Sequence, residues 1–113
     1  MSPKDFSEEE IQRISSVVSY VKNHLHQQFT VRQLARLAAL GEQRFTEGFY
    51  KEYGQTVAVY IHDVRMKSAR FLVTHTEKSL KEIAGLCGYR EYKSFLKAFQ
   101  KYFGVSAGGE RKR

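Results

Sequence analysis

Residues 77–104 read EKSLKEIAGLCGYREYKSFLKAFQKYFG, a pattern that predicts two helices separated by a tight turn. Ser79 can cap the first helix, and Glu82, three residues on, completes a capping box. Gly88 stands where a helix would end on a residue with left-handed backbone geometry. The apolar stripe of the first helix consists of Leu80, Ile83, Ala84 and Leu86.

The second predicted helix of this stretch is amphipathic. Phe95 and Phe99 lie one turn apart and are expected to face the core, and Gly104 would end the helix. At about 100° per residue, the opposite face carries Lys93, Lys97 and Lys101. A helix-turn-helix with an apolar inner face and a lysine-rich outer face is typical of proteins that read the DNA major groove.

The same pattern occurs earlier, in residues 30–54, with Thr30 and Gln33 as a second possible capping box. The first helices correspond at an offset of 49: Val31, Leu34, Ala35, Leu37 and Ala38 match Leu80, Ile83, Ala84, Leu86 and Cys87. The second helices correspond at an offset of 50: Phe45, Phe49, Tyr53 and Gly54 match Phe95, Phe99, Phe103 and Gly104. The difference of one residue falls at the turn, where insertions are tolerated.

Residues 57–74 read as one long helix between the two units. The sequence therefore predicts an all-α fold of two helix-turn-helix subdomains joined by a linker helix. A third capping box, Ser7 with Glu10, starts a further helix before the first unit. Gly48 lies inside the second helix of the first unit, where glycine costs about 1 kcal/mol relative to alanine, so we expect a close contact there.

Composition limits the kind of protein this chain can be. Its 113 residues suffice for one domain, or for two subdomains of about fifty residues each. No run approaches the ~18 apolar residues of a membrane span, and no signal peptide opens the chain. The single cysteine excludes an intramolecular disulfide and suits a reducing compartment. A cytoplasmic protein without membrane contact is expected.

The excess of positive over negative charge is confined to the second half of the chain. Residues 1–56 contain seven Lys/Arg and seven Asp/Glu, whereas residues 57–113 contain twelve and five. The net charge of +7 thus lies in the linker helix, the second unit and the tail. This distribution indicates a surface that binds a polyanion.

The ionisable residues do not favour an enzyme or a metal site. The histidines lack the spacing of a zinc site and are expected at the surface. They are His24, His26, His62 and His75. Cys87 matches Ala38 in the repeat and is most simply a small core residue. We expect no enzymatic activity, no metal and no cofactor.

The second unit contains SLKEIAGLCGY and then SFLKAFQKYFG, and the segment between the units reads VYIHDVRMKSARFLV. With these motifs the chain resembles the DNA-binding domain of the AraC/XylS family of bacterial transcription regulators. The resemblance covers about residues 8–106. After Gly104 the chain reads VSAGGERKR, where that family has a Ser/Thr-Pro turn and a Tyr-Arg pair.

The resemblance implies a sequence-specific DNA-binding domain that inserts two recognition helices into successive major grooves. It divides the chain into a first helix-turn-helix subdomain (7–56), a linker helix (57–74), and a second subdomain with a basic tail (75–113). The implied partners are double-stranded DNA, RNA polymerase and an N-terminal effector domain outside this chain. The alternative is a protein-interaction module of the same fold that has lost specific DNA binding, since residues 42–53 carry a net charge of −1.

Carried over by position, the resemblance also assigns DNA contacts. Base contacts fall on Gln43, Thr46 and Glu47 in the first unit, and on Tyr92, Lys93 and Lys97 in the second. Lysine can donate to guanine O6 and N7, and glutamine can pair with adenine. Phosphate contacts, which orient a protein without reading sequence, fall on Arg32, Arg36, Arg44, Lys51, Lys78, Lys81, Arg90 and Lys101.

Overall fold

The computed structural model describes residues 5–112, and these form seven α-helices and no β-strand. The helices are α1 (Glu8–Asn23), α2 (Val31–Leu37), α3 (Glu42–Tyr53), α4 (Val57–His75), α5 (Leu80–Leu86), α6 (Tyr92–Phe103) and α7 (Ala107–Arg111). The predicted all-α fold class is confirmed. Arg113, the last residue of the predicted tail, lies outside the described residues.

The chain divides into two compact units. The first comprises the residues up to His24 together with Gln28–Ile61, and the second comprises Leu25–Gln27 and the residues from His62 onward. Helix α4 begins in the first unit and continues into the second, over about 28 Å at 1.5 Å per residue. Helices α2 and α3 form the helix-turn-helix of the first unit, and α5 and α6 form that of the second.

Hydroxyl side chains cap the helices where the sequence predicted them. Ser7 and Thr30 each accept a hydrogen bond from the backbone N–H three residues on, and both capping boxes are complete. Ser79 Oγ accepts from Glu82 N at 3.0 Å. Each of these bonds satisfies a backbone donor that a helix start otherwise leaves without a partner.

The turns of the two helix-turn-helix units are built alike, but on different residues. In the first, Leu40 N donates to Ala35 O at 3.0 Å and Ala39 has φ +56°. In the second, Tyr89 N donates to Ala84 O at 2.9 Å and Gly88 has φ +89°. The repeat offset of 49 thus extends through the left-handed residue, and the inserted residue of the second unit is Arg90.

Each unit has its own apolar core, and the two cores use equivalent positions. The buried apolar residues of the first unit are Ile14, Val17, Val18, Val21, Leu34, Ala35, Ala38, Phe45, Phe49 and Val57. Those of the second are Met66, Ala69, Val73, Ile83, Ala84, Cys87, Phe95, Phe99 and Ala107. Leu37 and Leu86 depart from the predicted stripe, because both side chains are exposed on the last turn of their helices.

Gly48 is required by packing, as expected. A Cβ at this position would lie 2.6 Å from Ile14 Cδ1 and 2.8 Å from Phe6 Cε1. The absent side chain therefore lets α3 pack closely against Ile14 of α1 and against Phe6.

Arg65 of α4 is a structural centre of the second unit. Its guanidinium donates to Leu25 O at 2.8 Å, Cys87 O at 2.6 Å and Gln27 O at 2.9 Å. Burial lowers the pKa of Arg65 and raises the pKa of the Cys87 thiol. Cys87 is 1% exposed, so the prediction of a small core residue is confirmed.

The residues after Gly104 form a packed helix rather than a loose basic tail. Ser106 caps α7, Ala107 is fully buried, and Arg111 Nε donates to Val73 O at 3.1 Å. Arg70 Nε also donates to Glu110 Oε1 at 3.1 Å. The prediction of a basic tail was therefore incomplete, because Arg111 serves to hold α7 against the end of α4.

Candidate nucleic-acid interface

The first candidate face lies on the exposed side of α3. Gln43, Thr46 and Glu47 are all exposed and lie within about one helical turn of each other. Gln43 Nε2 donates to Glu47 Oε1 at 3.2 Å, and Thr46 Oγ1 donates to Glu42 O at 2.8 Å. The structure therefore brings the three predicted base-contact residues together on one surface. Phe45 and Phe49, on the opposite side of the helix, are buried as predicted.

The second candidate face lies on α6. Lys93, Lys97 and Lys101 are exposed at successive turns, while Phe95 and Phe99 are buried behind them. Tyr92 differs from the lysines, because its half-buried ring packs against the core of the second unit. The lysine row is thus presented by a helix whose orientation is fixed by two fully buried aromatic rings.

The predicted phosphate contacts occupy three environments. Arg32, Arg36, Lys81, Arg90 and Lys101 are exposed. Lys78 lies 3.5 Å from Glu82 in an exposed ion pair, and Lys51 lies 3.9 Å from Asp5, so both side chains remain at the surface. Arg44, whose side chain is 32% exposed, is engaged by other residues of the first unit.

Arg44 joins α3 to the start of α1. Its guanidinium donates to both carboxylate oxygens of Glu10 at 2.8 and 2.9 Å, and to Asp5 O at 2.7 Å. It also lies 4.3 Å from the centre of the Phe6 ring. Hydrogen bonding from Arg44 lowers the pKa of Glu10 to about 2. These bonds give Arg44 a structural role, and the sequence offered no sign of them because the partners lie more than thirty residues apart.

A groove beside α3 was not predicted. It is open, with a volume of about 510 Å³, and it is lined by Phe6, Thr46, Glu47, Tyr50 and Lys51. The walls are mostly apolar, and Tyr50 is 56% exposed. The outward position of Tyr50 was visible in the helical pattern of α3. The position of Phe6 was not, since Phe6 precedes the first helix and packs across to α3.

The two compact units differ in charge. The first unit contains equal numbers of basic and acidic residues, whereas the second carries the whole net charge of +7. The second unit therefore offers much the stronger long-range attraction to a polyanion.

Over residues 5–112, none of the helices combines the length and the apolar content that a membrane span requires. Within the same residues, no three His, Cys, Asp or Glu side chains converge as a metal ion would need.

A family model for helix-turn-helix domains matches residues 34–113. The chain belongs to this family, the AraC/XylS transcription regulators, and its fold is that of their DNA-binding domains. The resemblance inferred from the sequence is thereby confirmed.

Individual relatives agree with this assignment. The probable transcriptional regulator LumQ of Photobacterium leiognathi is 30% identical over 103 residues, which cover 89% of this chain and 42% of LumQ. The xylose operon regulatory protein of Escherichia coli K12 is 27% identical over 90 residues, covering 80% of this chain and 23% of that protein. The chain thus spans less than half the length of these curated relatives.

Among solved structures, the DNA-binding domain of the global transcriptional factor AdpA, in complex with a target DNA, is similar to this chain. The two are 28% identical with a TM-score of 0.83, and the match covers 88% of this chain and 90% of the AdpA domain.

Proposed function

We propose that this chain is the sequence-specific DNA-binding domain of a bacterial transcription regulator, with α3 and α6 entering successive major grooves of the same duplex. The observation that carries the proposal is the exposed lysine row of α6, set directly over the buried Phe95 and Phe99. A major groove about 12 Å wide admits one α-helix, and its base edges are accessible to side chains on the exposed face.

The two recognition helices would read bases with different chemistry. On α6, Lys93 and Lys97 supply ammonium donors that suit guanine O6 and N7. On α3, the Gln43 amide suits adenine, Thr46 can donate or accept, and the Glu47 carboxylate suits the amino group of cytosine. Tyr92, half-buried at the start of α6, is the third proposed base contact of the second unit.

Sequence-independent attraction would come from the surface cations. We assign phosphate contacts to seven of the eight predicted residues, since Arg44 is engaged by Glu10. The seven are Arg32, Arg36, Lys51, Lys78, Lys81, Arg90 and Lys101. The weak exposed pairs of Lys51 and Lys78 can be exchanged for phosphate contacts, because exposed ion pairs contribute only about 0–1 kcal/mol.

The wider biological setting is also a proposal. We propose subdomain boundaries at residues 56/57 and 74/75, a cytoplasmic location and no enzymatic activity, as is typical of the family to which the chain belongs. RNA polymerase is the proposed protein partner. The relatives are more than twice as long as this chain, which favours an effector-sensing domain elsewhere in the full regulator.

Binding-site selection from random duplexes, followed by mobility-shift titration with polyanion competitor, tests the proposal. We expect one sequence to be enriched. The protein should stay bound to this sequence at a competitor concentration that displaces it from random duplex. Equal competition of all duplexes would contradict sequence-specific recognition, and would favour the protein-interaction alternative that the acidic residues of α3 suggest.

A further inference from the structure

The groove beside α3 has an aromatic ring on each side, and the Phe6 ring is held in place by its contacts. The Phe6 ring is held between the Arg44 guanidinium, 4.3 Å from the ring centre, and the backbone of α3 at Gly48. The opposite wall is the Tyr50 ring, which projects from the exposed side of the same helix. The groove is therefore a mostly apolar recess with one wall, Phe6, fixed by packing and the other, Tyr50, exposed to solvent.

The groove is continuous with the proposed base-reading face. Thr46 and Glu47 belong to both, since they line the groove and are two of the predicted base-contact residues. Whatever base Glu47 reads, the neighbouring base edge would meet the Phe6 and Tyr50 rings. If α3 lies in the major groove, the group that enters this recess is part of a base edge exposed in that groove.

The apolar group that unmodified DNA displays in the major groove is the C5 methyl of thymine. An aromatic recess suits this methyl best, because it is the largest apolar group on the major-groove edge and most other exposed groups there are hydrogen-bond donors and acceptors. Glu47, which also lines the groove, accepts a hydrogen bond from Gln43 Nε2 at 3.2 Å. A carboxylate accepts several hydrogen bonds, so this contact leaves acceptor capacity for a base.

We propose that the Phe6–Tyr50 groove receives a thymine methyl while Glu47 accepts a hydrogen bond from the amino group of an adjacent cytosine. The first unit would then select a thymine next to a cytosine. This inference rests on the proposed function and adds a base preference to its first recognition helix. It gives the first unit a source of base selectivity in addition to its proposed phosphate contacts at Arg32, Arg36 and Lys51.

A double-mutant cycle tests the proposal by combining removal of the Tyr50 ring from the protein with removal of a thymine methyl from the DNA. The selected duplex is remade with deoxyuridine in place of each thymine, and wild-type and Tyr50→Ala proteins are titrated by fluorescence anisotropy. The base pairs read by the first unit are identified beforehand: they are those at which the base preference changes in the Gln43→Ala variant but not in the Lys97→Ala variant. At one such thymine, uracil should weaken wild-type binding about fourfold, the effect of one buried methyl. The same uracil should have no effect on Tyr50→Ala.

Gln100→Ala is the matched control, because Gln100 occupies the position of Tyr50 in the second unit at the repeat offset of 50. This variant should keep the full uracil effect. If Tyr50→Ala also keeps it, the ring does not contact the methyl and the inference is overturned. If a specific site is selected but no first-unit thymine is sensitive to uracil, only this inference fails. If no specific site is selected, the proposed function fails with it.

Discussion

At the scale of single residues, the turns of the two helix-turn-helix units have the same backbone geometry, but one is built on alanine and the other on glycine. Ala39 and Gly88 occupy equivalent left-handed positions, at φ +56° and +89°. An L-residue with a Cβ pays about 1–2 kcal/mol for this geometry, whereas glycine does not. The first turn is therefore strained where the second is relaxed.

Replacing Ala39 with glycine should stabilise the protein. The relief of backbone strain exceeds the extra entropy that glycine loses on folding, about 0.5–1 kcal/mol, so we expect a net gain of about 0.5–1 kcal/mol in the free energy of unfolding. Urea denaturation measures it. The reverse change, Gly88→Ala, should be strongly destabilising, because its Cβ would overlap the Arg65 guanidinium. A loss of stability in Ala39→Gly would show that the turn is not strained.

Two helical glycines should respond to alanine in opposite directions. At Gly48 the new Cβ would lie 2.6 Å from Cδ1 of the fully buried Ile14, so the overpacking cost of about 1–3 kcal/mol should outweigh the gain in helix propensity. At Gly85 nothing lies within 4 Å, so Gly85→Ala should stabilise by up to about 1 kcal/mol. Thermal melting of the two variants gives the comparison, and a shift of the same sign in both would contradict this packing account.

At the scale of helices, burial of one aromatic face orients each recognition helix. Phe95 and Phe99 of α6 are fully buried, as Phe45 and Phe49 of α3 are buried in the first unit. Because residues three and four apart share a helical face, these rings determine which side chains of α3 and α6 point outward. The exposed lysine row is a consequence of the buried phenylalanines.

Phe99→Ala should lower the free energy of unfolding by about 3–5 kcal/mol, because it leaves a cavity in the core of the second unit. Phe71→Ala is the matched control, since Phe71 of α4 is 58% exposed, and this change should stay within about 0.5 kcal/mol. Chemical denaturation of both variants gives the difference. Equal effects would mean that the faces of α6 are assigned the wrong way round.

The contact between α1 and α3 should give the first unit a specific acid sensitivity. Glu10 has a pKa of about 2 in the folded protein against an ordinary value of 4.5. A lowered carboxyl pKa adds stability that is fully present above about pH 4.5 and is lost as pH falls towards 2. Wild type should therefore exceed Glu10→Gln in stability near neutral pH, and this difference should shrink between pH 4.5 and 2.

Melting temperatures at half-unit pH steps measure the difference, with Glu8→Gln as a control for the change in net charge on the same helical turn. A difference between wild type and Glu10→Gln that stays constant down to pH 2 would contradict the ion pair with Arg44.

Most of the helical framework was predictable, because its signals are local. Caps at Ser7, Thr30 and Ser79 and the paired phenylalanines follow from residues three or four apart. Helix α7 was not predicted, although the repeat contains a signal for it. The offset of 50 that relates Phe45 to Phe95 also relates Thr56, which caps α4, to Ser106, which caps α7.

The Phe6–Tyr50 groove and the engagement of Arg44 could not be predicted in this way. Both depend on residues 5–10 packing against α3. Charge and spacing show that Arg44 can contact phosphate, but only the folded first unit shows that Glu10 already holds it. Tertiary contacts of this kind leave no periodic trace in the sequence.

At the scale of the whole molecule, charge is divided between the two units. The first has no net charge and the second carries +7. Each phosphate contact contributes about 0.9 to the slope of log affinity against log salt concentration. With four of the seven proposed phosphate contacts in the second unit and three in the first, both units should contribute to the salt dependence, the second somewhat more.

A salt titration of Lys97→Ala tests the proposal that α6 reads bases through the outer face opposite its buried phenylalanines. On the selected duplex this variant should lose about 1–3 kcal/mol of binding free energy, with little change on random duplex. Lys101→Ala, one turn further along α6, is the control for a phosphate contact: it should weaken binding to both duplexes alike and reduce the salt slope by about 0.9. If Lys97→Ala leaves both affinity and selectivity intact, α6 is not the recognition helix and the account is wrong.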